Sequence, residues 1–377
     1  MKKSVLCRWV TAGWLLSCGA SAVHAQANGA DAFATVCKRE VQQPSDDTLV
    51  HRGAYCQKSE PFQYVIIDEN NAESGRVEIE AYAYSDNAPK GLAWPLKFRF
   101  KTRLVSGSGV GLLIKPVIDC GPACTVSPIA GVPLSIGGLS PELVATLTPN
   151  MSGESLFEFN PSIHYRVVKS GESFEDGPSA ENVGAGYVPR IRCDVGLAKK
   201  GTQGCVYPEA PAIMTSVKTD NPEVDESALH IREAQAAGRP GRYIPPTDGN
   251  IKPAFGSSEL TRLRDEQARK QNREASKTRC VAQYGKVNGQ CDFTGDPDET
   301  PTKCDCDEYP FAATNQGANG NEFSVKRIDA SDNRRAGALL GCFLASQRVL
   351  DGEKFYIDVE PQGTKGTAPD ECDLNNP

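Results

Sequence analysis

Hydrophobic and polar residues alternate with a period of two through residues 62–168, where Val, Ile, Phe and Tyr are frequent. Gly, Pro, Asn and Ser separate the alternating runs, which is typical of antiparallel strands joined by turns. The pattern predicts strands at residues 62–68, 76–85, 96–105, 110–118 and 156–168. Their spacing predicts that the N-terminal half is an all-β, sandwich-like unit.

The third of these strands presents four cations in a row on its polar face. They are Lys97, Arg99, Lys101 and Arg103. A phosphate-binding surface is one interpretation of this row. The preceding strand, however, offers Glu78 and Glu80 as cross-strand partners, and charged faces of antiparallel sheets usually contact water. We therefore interpret the row as a solvated sheet face.

The pattern changes after about residue 190. Residues 192–206 enclose a Gly- and Lys-rich loop between Cys193 and Cys205, which predicts a short hairpin closed by a disulfide. Residues 237–258 are rich in Gly and Pro and resist both helix and sheet, so we place the main linker there.

After the linker, the sequence predicts a mixture of helices and strands. Residues 259–279 predict a helix with a cationic surface that includes Arg273. A strand follows at residues 323–328, and then a helix at residues 334–347 whose N-cap lies in Ser331-Asp332-Asn333. A final strand is predicted at residues 355–359.

The N-terminus has the features of a secretory signal peptide. A basic start precedes an apolar run at residues 9–16 and a small-residue cleavage site at residues 23–25. The run is too short to span a membrane. An alternative makes Cys18 the lipidated residue of a lipoprotein. The chain then divides into a signal peptide (1–25), a β-rich N-terminal domain (26–215), a linker (216–258) and a C-terminal domain (259–377).

Cysteine usage agrees with export. The chain has 14 cysteines, and cleavage after residue 25 removes Cys7 and Cys18 and leaves twelve. An even number of cysteines in an exported chain predicts disulfides, because the compartment is oxidising. Six cysteines lie within residues 37–205 and six within residues 280–372, which predicts two separately cross-linked units.

The net charge argues against general attraction to nucleic acid. The formal charge of −7 becomes −10 when Lys2, Lys3 and Arg8 leave with the signal peptide. A polyanion is repelled by such a chain as a whole, so any contact with DNA has to be local.

Carboxylates are dense between Cys291 and Glu308. They are Asp292, Asp296, Asp298, Glu299, Asp305, Asp307 and Glu308. Carboxylates at this density repel one another unless a hard cation such as magnesium, calcium or manganese lies among them. We interpret residues 292–299 as a solvated loop. Asp307 and Glu308 differ, because a cysteine and an apolar segment anchor them on either side.

The position of the histidines limits the chemistry of this segment. No histidine follows His230. Many small metal-dependent nucleases use a strand-strand-helix unit in which a histidine activates the attacking water. If this segment cleaves phosphodiesters, a carboxylate has to be the base, and Asp307 is the best placed.

Three motifs resemble the secreted bacterial NucA/NucB-type deoxyribonuclease family. They are CDEYPFAAT (306–314), FSVKRIDASDNRRAGALLG (323–341) and RVLDGEKFYI (348–357). The upstream QNREASKTRC (271–280) is similar to the helix that precedes the motif in larger members, so that the similarity covers about residues 226–360. The resemblance implies an α+β multidomain chain whose C-terminal part is a small, disulfide-stapled strand-strand-helix metal nuclease. It also implies a largely non-specific DNA endonuclease in which an acidic residue replaces the usual histidine.

The resemblance assigns roles to particular residues. Asp307 is expected to be the general base, Glu308 to organise a magnesium or manganese ion, and Asn333 to be a metal ligand or an N-cap. Arg334 is expected to join the catalytic set by binding phosphate. The residues expected to contact DNA are Arg273, Arg334 and Arg335.

Two other functions stay open. The chain is a non-enzymatic exported binding protein if the acidic loop is only a cation-stabilised staple. It is a nuclease toxin if a dedicated immunity or inhibitor protein accompanies it.

Overall fold

A computed structural model describes residues 37, 47–109, 111–175, 179–180, 186–244, 259–285, 303–361 and 372. Several predictions fall outside these residues. They are the signal peptide at 1–25, the alternative lipidation at Cys18, the linker residues 245–258 and the acidic run at 292–299. Within the described part, the chain is mostly β-structure with three α-helices and several sheets, which is an α+β architecture.

The strands of the first half follow one another with a single short 3-10 helix (Gly121–Ala123) among the described residues. They are β1 (Asp47–His51), β2 (Ala54–Lys58), β3 (Phe62–Ile67), β4 (Glu73–Asp86), β5 (Trp94–Gly107), β6 (Leu112–Asp119), β7 (Cys124–Val126), β8 (Val132–Pro133), β9 (Leu143–Pro149), β10 (Leu156–Phe159), β11 (Ser162–Lys169), β12 (Ser179–Ala180), β13 (Gly186–Tyr187), β14 (Ile191–Val195), β15 (Gln203–Val206) and β16 (Ala212–Met214).

The second half mixes helices and strands. They are α1 (Asp225–Ala236), β17 (Leu260–Thr261), α2 (Glu266–Tyr284), β18 (Cys304–Tyr309), β19 (Ser324–Asp329), α3 (Ala330–Ser346) and β20 (Lys354–Ile357). None of the α-helices in the described part of the chain has the length and apolar character needed to cross a bilayer.

Three sheets build the first half, and the smallest has the order β10-β14-β15. Of the two larger sheets, one has the order β1-β2-β4-β5-β9-β7 with β3 paired to β4, and the other has the order β12-β11-β6-β8 with β13 paired to β11. A single hydrophobic core draws on both sheets, since it contains Phe98 and Phe100 of β5 together with Ile163 and Tyr165 of β11. The alternation of apolar residues that predicted the strands is therefore the alternation of core-facing positions.

The predicted strand at 156–168 is two strands. β10 pairs with β14, whereas β11 pairs with β6 in a different sheet. Pro161 lies between them and has no amide hydrogen for a β ladder, so the chain changes sheets at this point. The continuous alternation of side chains concealed this break.

Two of the four cations on β5 are paired with acids of the adjacent strand. Arg103 pairs with Glu78 at 2.9 Å, and Lys101 lies 4.0 Å from Glu80. Both pairs follow the register of β4 and β5, in which Glu78 is opposite Arg103 and Glu80 is opposite Lys101. The interpretation as a solvated sheet face is confirmed at these two positions.

The disulfides stay within the two halves of the chain. The pairs Cys37–Cys56, Cys120–Cys124 and Cys193–Cys205 lie in the first half, and Cys280–Cys306 and Cys342–Cys372 lie in the second. Cys304 is also disulfide-bonded. Cys193 and Cys205 are directly opposite in β14 and β15, as the hairpin prediction requires.

A second hydrophobic core holds the other half together. It contains Ile231 of α1, Phe343 of α3, Phe355 of β20 and Met214 of β16, all of them buried. β20 pairs in parallel with β16 and antiparallel with β17. Residues from the end of the predicted N-terminal domain thus complete a sheet of the C-terminal region.

Helix α1 corrects the linker prediction for residues 225–236. The Gly and Pro residues that suggested a linker begin only at Gly238, after the helix has ended. Before them, Ala228, Ile231 and Ala234 recur at a spacing of three and are buried.

The cationic helix begins later than predicted. Leu260–Thr261 is strand β17, and α2 begins at Glu266 because the Asp265 carboxylate accepts a hydrogen bond from the Ala268 amide at 2.7 Å. Arg262 precedes the helix, and its guanidinium donates to the carbonyl oxygens of Ala198 and Val349. This arginine is therefore not part of the cationic surface of α2.

Candidate active site

Strand β18 distributes the motif residues to its two sides, because side chains alternate along a strand. Cys306 is joined to Cys280 of α2, and Glu308 points to the same side. Asp307 and Tyr309 point to the other side, where they meet His230 and Gln235 of α1. The motif is therefore held between α2 and α1.

His230 is the partner of Asp307. The histidine is 1% exposed, and its Nδ1 lies 2.8 Å from Oδ2 of Asp307. Its Nε2 lies 2.9 Å from the Ser324 hydroxyl of β19. An ionised carboxylate only accepts hydrogen bonds, so Nδ1 carries the hydrogen and Nε2 accepts from Ser324 in the neutral imidazole.

This contact corrects the expectation that the site lacks a histidine. His230 precedes Asp307 by 77 positions and lies outside the strand-strand-helix segment. Asp307 therefore has a buried histidine as its hydrogen-bond partner.

Glu308 is half-buried, and its pKa is raised from 4.5 to about 7. Burial is the main cause, and the neighbouring carboxylate of Asp307 adds to it. The Ala312 amide and the positive charge of Arg273 oppose the shift. A bound cation would favour the ionised form of Glu308, since it would offset both causes of the rise.

Several of the predicted site residues line one pocket of about 180 Å³. Its polar lining comprises Asp307, Glu308, Asn333, Arg273, Arg269 and Ser227, and apolar side chains of Phe311, Ile231 and Leu340 complete it. Arg273 and Arg269 are on successive turns of α2. The pocket therefore combines carboxylates with two guanidinium groups.

Ser227 is a member of this pocket that the sequence did not indicate. It lies on α1, is 1% exposed, and its hydroxyl has no hydrogen-bond partner in the described part of the chain. A buried hydroxyl without a partner is unfavourable by about 1–3 kcal/mol. A ligand in the pocket would relieve that cost.

Asn333 does not cap its helix. Helix α3 begins at Ala330, and the Asp329 carboxylate caps it by accepting from the Ser331 amide at 2.7 Å. Asn333 is therefore inside the first turns of the helix, where its side chain lines the pocket. The predicted N-cap role is wrong, because β19 runs directly into the helix.

Arg334 and Arg335 lie elsewhere. Arg334 is exposed and pairs with Asp305 at 3.0 Å, and Arg335 pairs with Glu223 at 2.7 Å. Neither lines the pocket that holds Asp307. The structure brings together Asp307, Glu308, Asn333 and Arg273 but not these two arginines.

Asp332 connects the two helices that flank the site. Its Oδ2 accepts from the Glu226 amide of α1 at 3.2 Å, while the Glu226 carboxylate accepts from the Asp329 amide at 2.6 Å. Each helix start is thus satisfied by an acid of the other. Burial, with the nearby acids Glu226 and Asp225, raises the pKa of Asp332 to about 6.

The donors in the pocket suit a hard divalent cation. No group of three or more His, Cys, Asp or Glu residues forms a metal cage in the described residues. Magnesium, however, usually binds through one or two carboxylates and keeps several waters. Glu308 and Asn333 offer oxygens of this kind, and the unpartnered Ser227 hydroxyl offers a third.

Asn272 of α2 holds the loop after β18 in place, a role that the sequence did not indicate. It is 4% exposed and donates to the carbonyl oxygens of Ala312 and Thr314 at 3.0 and 3.2 Å. Its Oδ1 accepts from the Asn319 amide at 2.9 Å. Asn272 therefore fixes the loop after β18 that forms part of the pocket wall.

Among the comparisons with known proteins, the family match lies in the C-terminal region. Residues 255–358 match the model of the family described as deoxyribonuclease NucA/NucB, which confirms the resemblance of the motifs. A search of curated proteins found no match. The crystal structure of the yeast GGA1_GAE domain-P21 is similar over 34% of this chain and 99% of that chain, at 12% identity and a TM-score of 0.16.

Proposed function

Since residues 255–358 match the model of the deoxyribonuclease NucA/NucB family, we propose that this protein is a secreted, metal-dependent and largely non-specific DNA endonuclease. The observation that carries the proposal is the shared pocket of Asp307, Glu308, Asn333 and Arg273, in which Asp307 is held by His230. Secretion is supported by the disulfides in both halves of the chain.

Asp307 is the general base in this proposal. Its carboxylate takes a proton from water, the water oxygen bonds to phosphorus, and the bond from phosphorus to the leaving oxygen breaks. The leaving oxygen then takes a proton from solvent. A positioned base of this kind contributes roughly 10²- to 10⁴-fold to the rate.

Glu308 and Asn333 would hold the divalent ion, magnesium or manganese. The ion would supply positive charge to the scissile phosphate and to the leaving oxygen. Arg273 is exposed on α2 at the rim of the pocket and would contact a phosphate without reading the base. Arg334 and Arg335 receive no role here, because both are paired with acids outside the pocket.

Plasmid cleavage tests this proposal. The mature chain is incubated with supercoiled plasmid and magnesium or manganese, with and without a chelator. We expect nicked and then fragmented DNA only when the metal is available. Absence of cleavage with either metal would contradict the proposal and leave a non-enzymatic binding protein as the alternative.

Asp307→Asn identifies the base, and Asp305→Asn is its matched control. Asp305 is on the same strand but pairs with exposed Arg334. We expect the first variant to lose cleavage by about 10²-fold or more while it still binds DNA. We expect the second to cleave like the wild type. If Asp307→Asn cleaves as fast as Asp305→Asn, the assignment of the base is wrong.

A further inference from the structure

We propose that His230 is a positioning residue of this nuclease site and that it holds the Asp307 carboxylate in the orientation that accepts a proton from water. The inference rests on the proposed function of Asp307. His230 belongs to α1, which lies upstream of the residues 255–358 that match the family. A segment outside that match would then complete the active site.

Helix α1 is fixed against the site at both ends. Near its start, the Glu226 amide and carboxylate are bonded to Asp332 and to the Asp329 amide. Towards its end, Glu233 pairs with Lys326 of β19 at 2.9 Å, and Gln235 donates to the Tyr309 hydroxyl at 3.0 Å. His230 lies between these anchors, so its backbone has a defined position relative to β18.

The imidazole is fixed at both nitrogens. Nδ1 donates to Asp307 of β18 and Nε2 accepts from Ser324 of β19, so the ring bridges the two strands of the hairpin. A ring bonded on both sides cannot turn without losing one hydrogen bond in a buried site. The Asp307 carboxylate, which only accepts, selects the tautomer that carries its hydrogen on Nδ1, and the Ser324 hydroxyl can donate to Nε2 of that tautomer.

Asp307 is oriented as a consequence. The hydrogen bond from His230 occupies Oδ2, and within the residues that the structure describes Oδ1 accepts no hydrogen bond. The carboxylate also lines the pocket. Oδ1 is therefore the oxygen available to water, and the histidine prevents the carboxylate from turning away. Catalytic groups have to be held within a narrow range of geometries by such supporting contacts.

Two amide substitutions separate positioning from simple core packing. The side-chain nitrogen of asparagine occupies the place of Nδ1, so His230→Asn keeps a donor for Asp307. The nitrogen of glutamine is closer to the place of Nε2, so His230→Gln keeps only the contact to Ser324. The glutamine is nearer to histidine in length, and a packing role would favour it.

The full mature chain and its variants are compared by steady-state cleavage of plasmid with magnesium. We expect His230→Gln to lower kcat about 10- to 100-fold with KM unchanged, as for other supporting residues of catalytic sites. We expect His230→Asn to restore most of that loss. Arg232→Ala is the matched control, because Arg232 is an exposed side chain of the same helix that does not line the pocket, and its kcat should equal that of the wild type.

The outcomes distinguish this inference from the function on which it rests. If the wild type cleaves no DNA, the proposed function fails. If the wild type cleaves and Asp307→Asn does not, but His230→Gln retains full kcat, only the positioning role of His230 fails. Equal losses in the asparagine and glutamine variants would also overturn it, since that result indicates packing alone.

Ser324→Ala keeps the inference testable if a variant of His230 does not fold. This substitution frees Nε2 without changing the buried ring. We expect a lower kcat with unchanged KM, because the imidazole keeps only its bond to Asp307 and its orientation is no longer fixed at both nitrogens. An unchanged kcat would count against the positioning role.

Discussion

Replacement of Asn272 by alanine should destabilise the C-terminal half of the protein selectively. The buried amide makes three hydrogen bonds to the loop after β18, with Ala312, Thr314 and Asn319. The three backbone groups that bond to the Asn272 side chain do not all lose their last hydrogen-bond partner when it is removed. The Thr314 carbonyl keeps a bond from the Gly317 amide at 3.0 Å, and Asn319 is exposed, so its amide can bond to water.

The magnitude follows from this inventory. Three ordinary hydrogen bonds contribute about 1 kcal/mol each, and the Ala312 carbonyl, which is in a 7% exposed residue, loses its partner inside the protein. We expect a loss of about 3 kcal/mol in the free energy of unfolding. Gln271→Ala is the matched control, because Gln271 makes one exposed bond to Asn319 from the adjacent position and should change the stability by less than about 0.5 kcal/mol.

Urea denaturation followed by two signals provides the assay. All three α-helices of the described residues lie within 225–346, so circular dichroism at 222 nm reports on the C-terminal region. Trp94 is buried in the first half and is the sole tryptophan after residue 25, so its fluorescence reports on the β-rich region. We expect the helical transition to move to lower urea. Equal midpoints for Asn272→Ala and Gln271→Ala would refute the reasoning.

Two further predictions concern charged groups. The pKa of Glu308 is about 7 in the folded protein and 4.5 ordinarily, so the stability that its protonation contributes is present below pH 4.5 and is lost as the pH rises through 7. Without metal, the free energy of unfolding should therefore fall between pH 5 and pH 8 by less in Glu308→Gln than in the wild type, with a difference on the order of 2 kcal/mol. Urea titrations at both pH values in the presence of a chelator measure this difference, and an equal fall in the two proteins would contradict the prediction. Arg348 is 2% exposed and forms a two-pronged ion pair with fully buried Asp194 at 2.6 Å. Arg348→Ala should cost about 3–5 kcal/mol, because it leaves a buried carboxylate unpaired, whereas Arg334→Ala, which breaks an exposed pair, should cost less than about 1 kcal/mol. Similar losses in these two variants, measured by chemical denaturation, would be inconsistent with the difference in burial.

The sequence by itself determined the local patterns. The alternation in residues 62–105 placed β3, β4 and β5, because side chains on successive residues of a strand face opposite sides of the sheet. The Glu residues of β4 and the cations of β5 could be paired in advance, since cross-strand neighbours follow from register. The motif around Asp307 also identified the family, because it is contiguous in the chain.

Tertiary structure decided which residues from distant segments of the chain contact one another at the site. Helix α1 places Ser227 in the pocket and His230 against Asp307, but its short helical pattern was concealed by the Gly- and Pro-rich residues that follow it. No local signal indicates that a histidine 77 positions upstream contacts Asp307. Arg273 and Arg334 could not be distinguished from the sequence either, because both are cations in the segment that matches the family. Packing places Arg273 at the pocket and pairs Arg334 with Asp305.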